Sequence, residues 1–209
     1  MIIILTAGTG KTYITSRVID EMQSVLANRN DEGLAFFYCN RNEAKLQEPI
    51  NVLRSFLRQL STSQAHESYM RKDIRNFYVE RRGKGSEPTI KDCKTRILEA
   101  LNLYPRTTLI LDAFDECDKY KRRELLEAFD YFIENAKSPV KIFISSRPDK
   151  DLRERFEGKA NISINASDNQ QDITKFVESE IKKHLRWDKL KPELKEEIVE
   201  TIQAGSKGM

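Results

Sequence analysis

Ile2-Ile3-Ile4-Leu5-Thr6-Ala7-Gly8-Thr9-Gly10-Lys11-Thr12 is the stretch whose reading decides the fold. A short β-branched run predicts a buried strand, and Gly8-Thr9-Gly10 lets the backbone turn tightly after it. From Lys11 onward, apolar residues fall at Ile14, Val18, Met22, Val25 and Leu26, a helical spacing. Strand, glycine turn, Lys-Thr and helix together form a P-loop context. In such a loop the N–H groups around Gly8, Thr9 and Gly10 wrap phosphate, Lys11 reaches the terminal phosphates, and the Thr12 hydroxyl holds Mg²⁺. One element departs from the pattern. GxxxxGK[ST] places a glycine five residues before Gly10, and that residue is Leu5. A Cβ there denies the backbone the freedom of glycine, which motivates a competing expectation of local strain or a reshaped loop.

Outward from this stretch, the chain alternates strand and helix. Leu34–Cys39 is apolar on both faces and reads as the middle of a parallel sheet. Pro49 suits a first helical turn, followed by an apolar face of Ile50, Leu53, Phe56, Leu57 and Leu60 with Arg54 and Arg58 opposite. Residues 61–88 are polar, and Arg81–Ser86 reads as an exposed loop. Thr89 and Asp92 have capping-box spacing at the head of a helix running to Asn102. Thr107–Asp112 is a strand ending in a carboxylate. Lys119–Ala136 is an amphipathic helix expected to bury Leu125, Leu126, Phe129, Phe132 and Ile133. Val140–Ser146 is a strand stopped by Arg147-Pro148, because the residue before proline leaves helical geometry and proline lacks a donor. Ala160–Asn165 alternates as a fifth strand near an edge, and helices follow at about 170–184 and 192–203. The fold class is α/β: a three-layer P-loop NTPase fold with a mostly parallel five-stranded sheet flanked by helices, followed by C-terminal helices. Residues 1–166 form the expected core and 167–209 a helical extension.

Composition narrows the function classes. At 209 residues, 39% of them hydrophobic and 33% charged, the chain can bury a sizeable core. A net charge of +3 is too small to point to nucleic acid or an acidic membrane, and most charge belongs to solvated helix surface. Cys39, Cys93 and Cys117 lack metal-ligand spacing and read as buried or free thiols of a reducing compartment. No apolar run approaches the ~20 residues of a membrane span. A soluble cytoplasmic protein is expected. The abrupt ends suggest a fragment of a longer architecture or an imperfect gene model.

Two further groups carry chemistry. Asp112 lies at the tip of a core strand, where α/β sheets hold ligands, and such an acid helps hold Mg²⁺ opposite Thr12. Asp115 and Glu116 add acids able to orient or deprotonate an attacking water. Arg147 leaves the tip of another strand and can contact a γ-phosphate. His66 and His184 have no partner at a useful spacing and read as surface residues; Trp187 reads as an anchor for the last helix.

Leu111–Cys117 (LDAFDEC), Lys141–Pro148 (KIFISSRP), and Phe36–Asn40 (FFYCN) followed by Val52–Leu60 (VLRSFLRQL) resemble NACHT-type NTPase domains of the STAND class. The form most similar is the nephrocystin-3-like N-terminal module abundant in fungal proteins. The resemblance spans nearly the whole chain, including 168–173. It implies that Gly8, Gly10, Lys11 and Thr12 form the phosphate loop, Asp112 the Mg²⁺ aspartate, Asp115 and Glu116 the acids after it, and Arg147 the sensor arginine. It also implies a switch closed with ADP and opened by ATP for homo-oligomerisation, joined to an N-terminal effector and C-terminal repeats, in non-self recognition or cell death. The chain departs from the family at Leu5 and Thr6, in the region before the first strand, and in stopping before a winged helix. Nucleotide binding (ATP or ADP, or GTP) with slow hydrolysis is the leading expectation. A scaffold that no longer binds nucleotide, and a small-molecule kinase, stay open beside it.

Overall fold

In the computed structural model, the described residues are 2–5, 10–27, 32–62, 72–155, 157–158, 161–164, 174–176, 179–180, 183 and 190–206. Gly8, Thr9, His66, His184, Trp187, 168–173 and most of the helix expected at 170–184 lie outside them.

The strands are β1 (Ile2–Leu5), β2 (Gly33–Tyr38), β3 (Thr107–Asp112), β4 (Val140–Ser146) and β5 (Asn161–Ile164). They form one sheet in the order β2-β3-β4-β1-β5, and every neighbouring pair is parallel. Each parallel pair needs a crossover. The crossovers are made by α1 (Lys11–Ala27), α2 (Pro49–Ser61), α3 (Lys72–Gly83), α4 (Ile90–Leu101), α5 (Arg122–Asn135) and α6 (Lys150–Arg155), with α7 (Pro192–Ser206) after the last strand.

Alternation along β3 and β4 divides the core into two clusters. Leu109, Leu111 and Ile144 pack with Val52, Leu53, Phe56, Leu57 and Leu60 of α2, Ile97 and Leu101 of α4, and Phe129 and Phe132 of α5. Ile110 and Phe143, one residue out of step and so on the other face, pack with Ile19, Ile14 and Val18 of α1. Helices therefore cover both faces of the sheet. All six residues of β3 are buried, which is why that strand carries no polar alternation.

β2 sits at the edge of this sheet, where the sequence reading put it in the middle. Its open side is closed by α2 instead of by a strand: Gln59 Oε1 accepts from the Phe36 N–H at 3.0 Å, and Gln59 Nε2 donates to the Phe36 carbonyl at 2.7 Å. An amide side chain thus takes, at Phe36, the hydrogen bonds a neighbouring strand would make, while four of the six β2 residues stay only half-buried, unlike those of β3. Gly33 opens β2 because a Cβ there would lie 2.7 Å from Thr107 Oγ1 and 2.9 Å from a Tyr104 ring carbon.

Other expectations are corrected. The polar stretch 61–88 contains α3, which buries only Ile74 and Phe77, too few apolar residues to announce a helix. Arg81 belongs to that helix: it bonds Asp92 Oδ1 at 2.5 Å and lies over the Phe77 ring. The helix expected from Lys119 begins at Arg122, and its Ile133 is 54% exposed, because α5 turns a narrower stripe to the sheet than a free helix offers. Val25 of α1 likewise faces solvent. The capping box at α4 forms as read, with Thr89 accepting from the Asp92 N–H and Asp92 accepting from the Thr89 N–H. Cys39, Cys93 and Cys117 are buried free thiols.

Candidate functional site: a cleft at the carboxyl edge of the sheet

The cleft has a volume of about 580 Å³ and lies where the strands end. Gly10, Lys11, Thr12 and Tyr13 enter it from the start of α1, Tyr38 to Asn40 from the tip of β2, Asp112 from the last position of β3 with Ala113 and Glu116 just beyond it, and Arg147 from the tip of β4. Parallel strands deliver all these groups to one edge because every strand points the same way.

Gly10 has φ 78°, in the left-handed region, and its carbonyl accepts the first helical hydrogen bond from the Ile14 N–H at 2.9 Å. Only glycine takes this backbone without strain, so Gly10 is fixed by the turn into α1. Leu5, the residue that breaks the glycine pattern, is the last residue of β1 and pairs with Ile164. A strand conformation is one a leucine readily adopts, and Ala113 alone among the described non-glycine residues has positive φ. The backbone of Leu5 itself is therefore unstrained; the loop that follows it, residues 6–9, lies outside the described residues.

Asp112 is the centre of the site. It is 1% exposed and collects hydroxyls from three directions. Thr12 Oγ1 donates to Oδ2 at 2.8 Å, while Thr15 Oγ1 and Ser145 Oγ each approach Oδ1 at 2.5 Å. Ser145 in turn accepts from the Ala113 N–H at 3.0 Å, so strand β4 steers the chain as it leaves β3. Thr15 and Ser145 escaped the sequence reading. The available signals were weak: Thr15 lies one turn after Lys11, and Ser145 is the first of two serines closing strand β4, whose Ile144 is in register with Leu111.

Lys11 is 9% exposed, and burial pushes its ammonium below the ordinary lysine value, opposed by Asp115, Glu116 and Asp112 and reinforced by Arg147. Among the described residues no carboxylate lies within ion-pair distance of it. It is a desolvated cation beside a cleft.

Ala113 has φ 52° and ψ 48°, a left-handed conformation that a non-glycine residue adopts at a cost. It bends the chain into a single 3₁₀ turn, Phe114–Glu116, and so returns the two acids toward the cleft. There Arg147 meets both: its N–H donates to Asp115 Oδ1 at 2.9 Å, Nε lies 3.4 Å from Asp115 Oδ2, and Nη2 lies 3.9 Å from Glu116 Oε1. Arg147 Nε is buried and makes no hydrogen bond among the described residues. Arg41, which the sequence reading passed over, reaches the same acids from the tip of β2, 3.5 Å from Asp115 and 3.7 Å from Glu116. The sequence-predicted residues Gly10, Lys11, Thr12, Asp112, Asp115, Glu116 and Arg147 thus converge on one edge of the sheet.

Cys39 is pushed far above the usual cysteine range by a hydrogen bond with Cys117 and by burial, which leaves it protonated. Tyr38 is also raised, first by burial and then by Asp112.

A parallel α/β sheet with a glycine–lysine–threonine turn at the head of α1 and a buried aspartate beside it defines the class: a P-loop domain. The model of the nephrocystin 3 N-terminal family matches residues 2–147, more than two thirds of the chain, and the chain belongs to that family. No curated protein matches it significantly. Among solved structures, similarity is found to AMPPCP-bound DnaA from Aquifex aeolicus, at 15% identity and a TM-score of 0.44 over 96% of this chain and 49% of that one. A DNA replication initiation factor is similar at 17% identity and 0.45, over 99% and 50%, and a DnaA bound to AMPPCP and single-stranded DNA at 15% and 0.47, over 100% and 50%. The chain spans about half the length of each of these. Likeness this slight says nothing of what this chain binds.

Proposed function

We propose that this chain binds a nucleoside triphosphate in the cleft and hydrolyses it slowly. The observation that carries the reading is the contact of Thr12 Oγ1 with the buried Asp112 carboxylate at 2.8 Å, beside a desolvated Lys11 that has no carboxylate within ion-pair distance among the described residues. A phosphate loop needs a hydroxyl, a carboxylate and a cation in this relation, and a chance glycine turn does not.

Thr12 and Asp112 fit Mg²⁺. Both offer oxygen, the donor this hard cation takes, and two protein ligands suffice for an ion that keeps waters and phosphate oxygens around it. Among the described residues no group of three or more His, Cys, Asp or Glu could hold a metal without the nucleotide's help. When bound, Mg²⁺ neutralises charge on the transferring phosphoryl group.

The remaining work falls to the chain. Lys11 supplies positive charge to the terminal phosphates at low dielectric cost, because it is already stripped of water. Glu116 lines the cleft, and its carboxylate takes a proton from water as the water oxygen bonds to the γ-phosphorus and the bridging oxygen departs with the diphosphate. Asp115 is the more buried acid and fixes the backbone of Arg147. Arg147, whose guanidinium is half-exposed in the cleft, offsets charge on the γ-phosphate.

In this reading ATP and ADP are the ligands, with GTP an alternative. The family resemblance supports a NACHT-type switch whose nucleotide state governs homo-oligomerisation within a larger cytoplasmic signalling protein bearing effector and repeat domains. Residues 1–166 are then the nucleotide core and 167–209 the extension. Net charge of +3 argues against a nucleic-acid partner, and among the described residues no helix is long and apolar enough to cross a membrane. Titration with a fluorescent ATP analogue and Mg²⁺ tests the proposal. Lys11→Ala is expected to weaken binding by two orders of magnitude or more, about 3 kcal/mol; equal binding by both proteins refutes it.

A further inference from the structure

Arg41 is held in place by more than its ion pairs. Its backbone N–H donates to Glu116 Oε2 at 3.2 Å, while its guanidinium lies 3.7 Å from Oε1 of the same carboxylate. Its carbonyl accepts from Gln47 Nε2 at 2.7 Å, and the Gln47 carbonyl accepts from the Asp118 N–H at 2.9 Å and the Cys117 thiol at 3.1 Å. The Cys39 N–H donates to the Asp112 carbonyl at 3.1 Å. The loop after β2 is therefore stitched to the loop after β3 on both sides of Arg41.

The two arginines on the acids are not equivalent. Arg147 lines the cleft and can leave the acids for an incoming phosphate. Arg41 does not line it, and approaches Asp115 and Glu116 from the opposite strand tip across β3. When Arg147 turns to phosphate, Arg41 is the cation that stays.

We infer that Arg41 is a positioning residue for hydrolysis. It holds Glu116 by charge and by backbone N–H, so that the carboxylate keeps its aim at the water when Arg147 is engaged by the terminal phosphate. This rests on the nucleotide reading above. It assigns to Arg41 a share in turnover and none in nucleotide affinity.

The test is a double-mutant cycle with full-length chain, reading ATP turnover, nucleotide affinity and thermal midpoint together. Arg41→Ala is expected to lower kcat by at least about tenfold with affinity kept within about threefold. Arg41→Lys keeps charge and backbone but not the fork that reaches both acids, and restores part of the rate. In a Glu116→Gln background, Arg41→Ala should cost nothing further, since a residue acting through Glu116 has no carboxylate left to hold. Losses that multiply, an affinity that falls in step with rate, or a drop in thermal midpoint that accounts for the lost rate in Arg41→Ala and Arg41→Lys alike would overturn the inference. Wild-type protein that binds ATP without turning it over also overturns it, and leaves nucleotide binding standing. Failure of the wild type to bind at all refutes the nucleotide reading itself.

Discussion

At the scale of single residues, the site is governed by one aspartate and by the residue after it. Asp112 gathers three hydroxyls, and Ala113 takes the left-handed turn that carries Asp115 and Glu116 back to the cleft. A Cβ in that conformation costs roughly 1–2 kcal/mol. Ala113→Gly removes this cost but adds disorder to the unfolded chain, so denaturant unfolding should show a net gain of at most about 1 kcal/mol. Ala113→Val, branched at Cβ, should lose about 1–3 kcal/mol in the same measurement. Lys11, Thr12, Asp112 and Arg147 could be picked out from sequence because each stands at a junction between strand and loop with a residue type suited to phosphate. Arg41 could not. Its role depends on β2 lying beside β3, which brings it to acids more than seventy positions away.

At the scale of elements, helix ends and strand edges were legible to different degrees. The α4 capping box is a four-residue pattern, and it formed as read because its partners are chain neighbours. Burial of Asp92 works against its charge, but bonds from the Thr89 N–H and hydroxyl, with Arg81 nearby, outweigh it and hold the carboxyl below its usual range. A carboxyl depressed in the folded state stabilises above its unfolded value near pH 4, and the contribution is lost as pH falls through the lower folded value. The stability gap between wild type and Asp92→Asn should therefore be full at pH 7 and shrink below about pH 4 in chemical denaturation. Gln59 presents the opposite case, since nothing local marks it as the partner of a strand. Gln59→Ala leaves the Phe36 N–H and carbonyl without their partners. It should cost about 1–3 kcal/mol in denaturant unfolding and, by baring the edge of β2, promote self-association on size exclusion.

At the scale of the whole molecule, nucleotide binding should be visible as stability. A ligand that binds only the folded chain stabilises it by about 2.7 kcal/mol at a hundred times its dissociation constant. Thermal unfolding with Mg²⁺ and ATP should accordingly show a raised midpoint in wild type and an unmoved one in Lys11→Ala. By itself the sequence determined the five strands, the helices at α1, α2, α4, α5 and α7, the glycine–lysine–threonine turn at Gly10, and the family, because periodicity, caps and turn chemistry act between near neighbours. It misjudged α3, whose buried face is only Ile74 and Phe77, and the reach of α5, whose Ile133 meets solvent. Tertiary structure alone decided that β2 is an edge where Gln59 takes the place of a strand, that the Leu5 backbone belongs to a strand, and that Thr15, Ser145 and Arg41 join the site. The physical reason is that strand order is fixed by which buried faces and hydrogen-bond edges meet across the fold, and that choice is made between residues far apart in the chain.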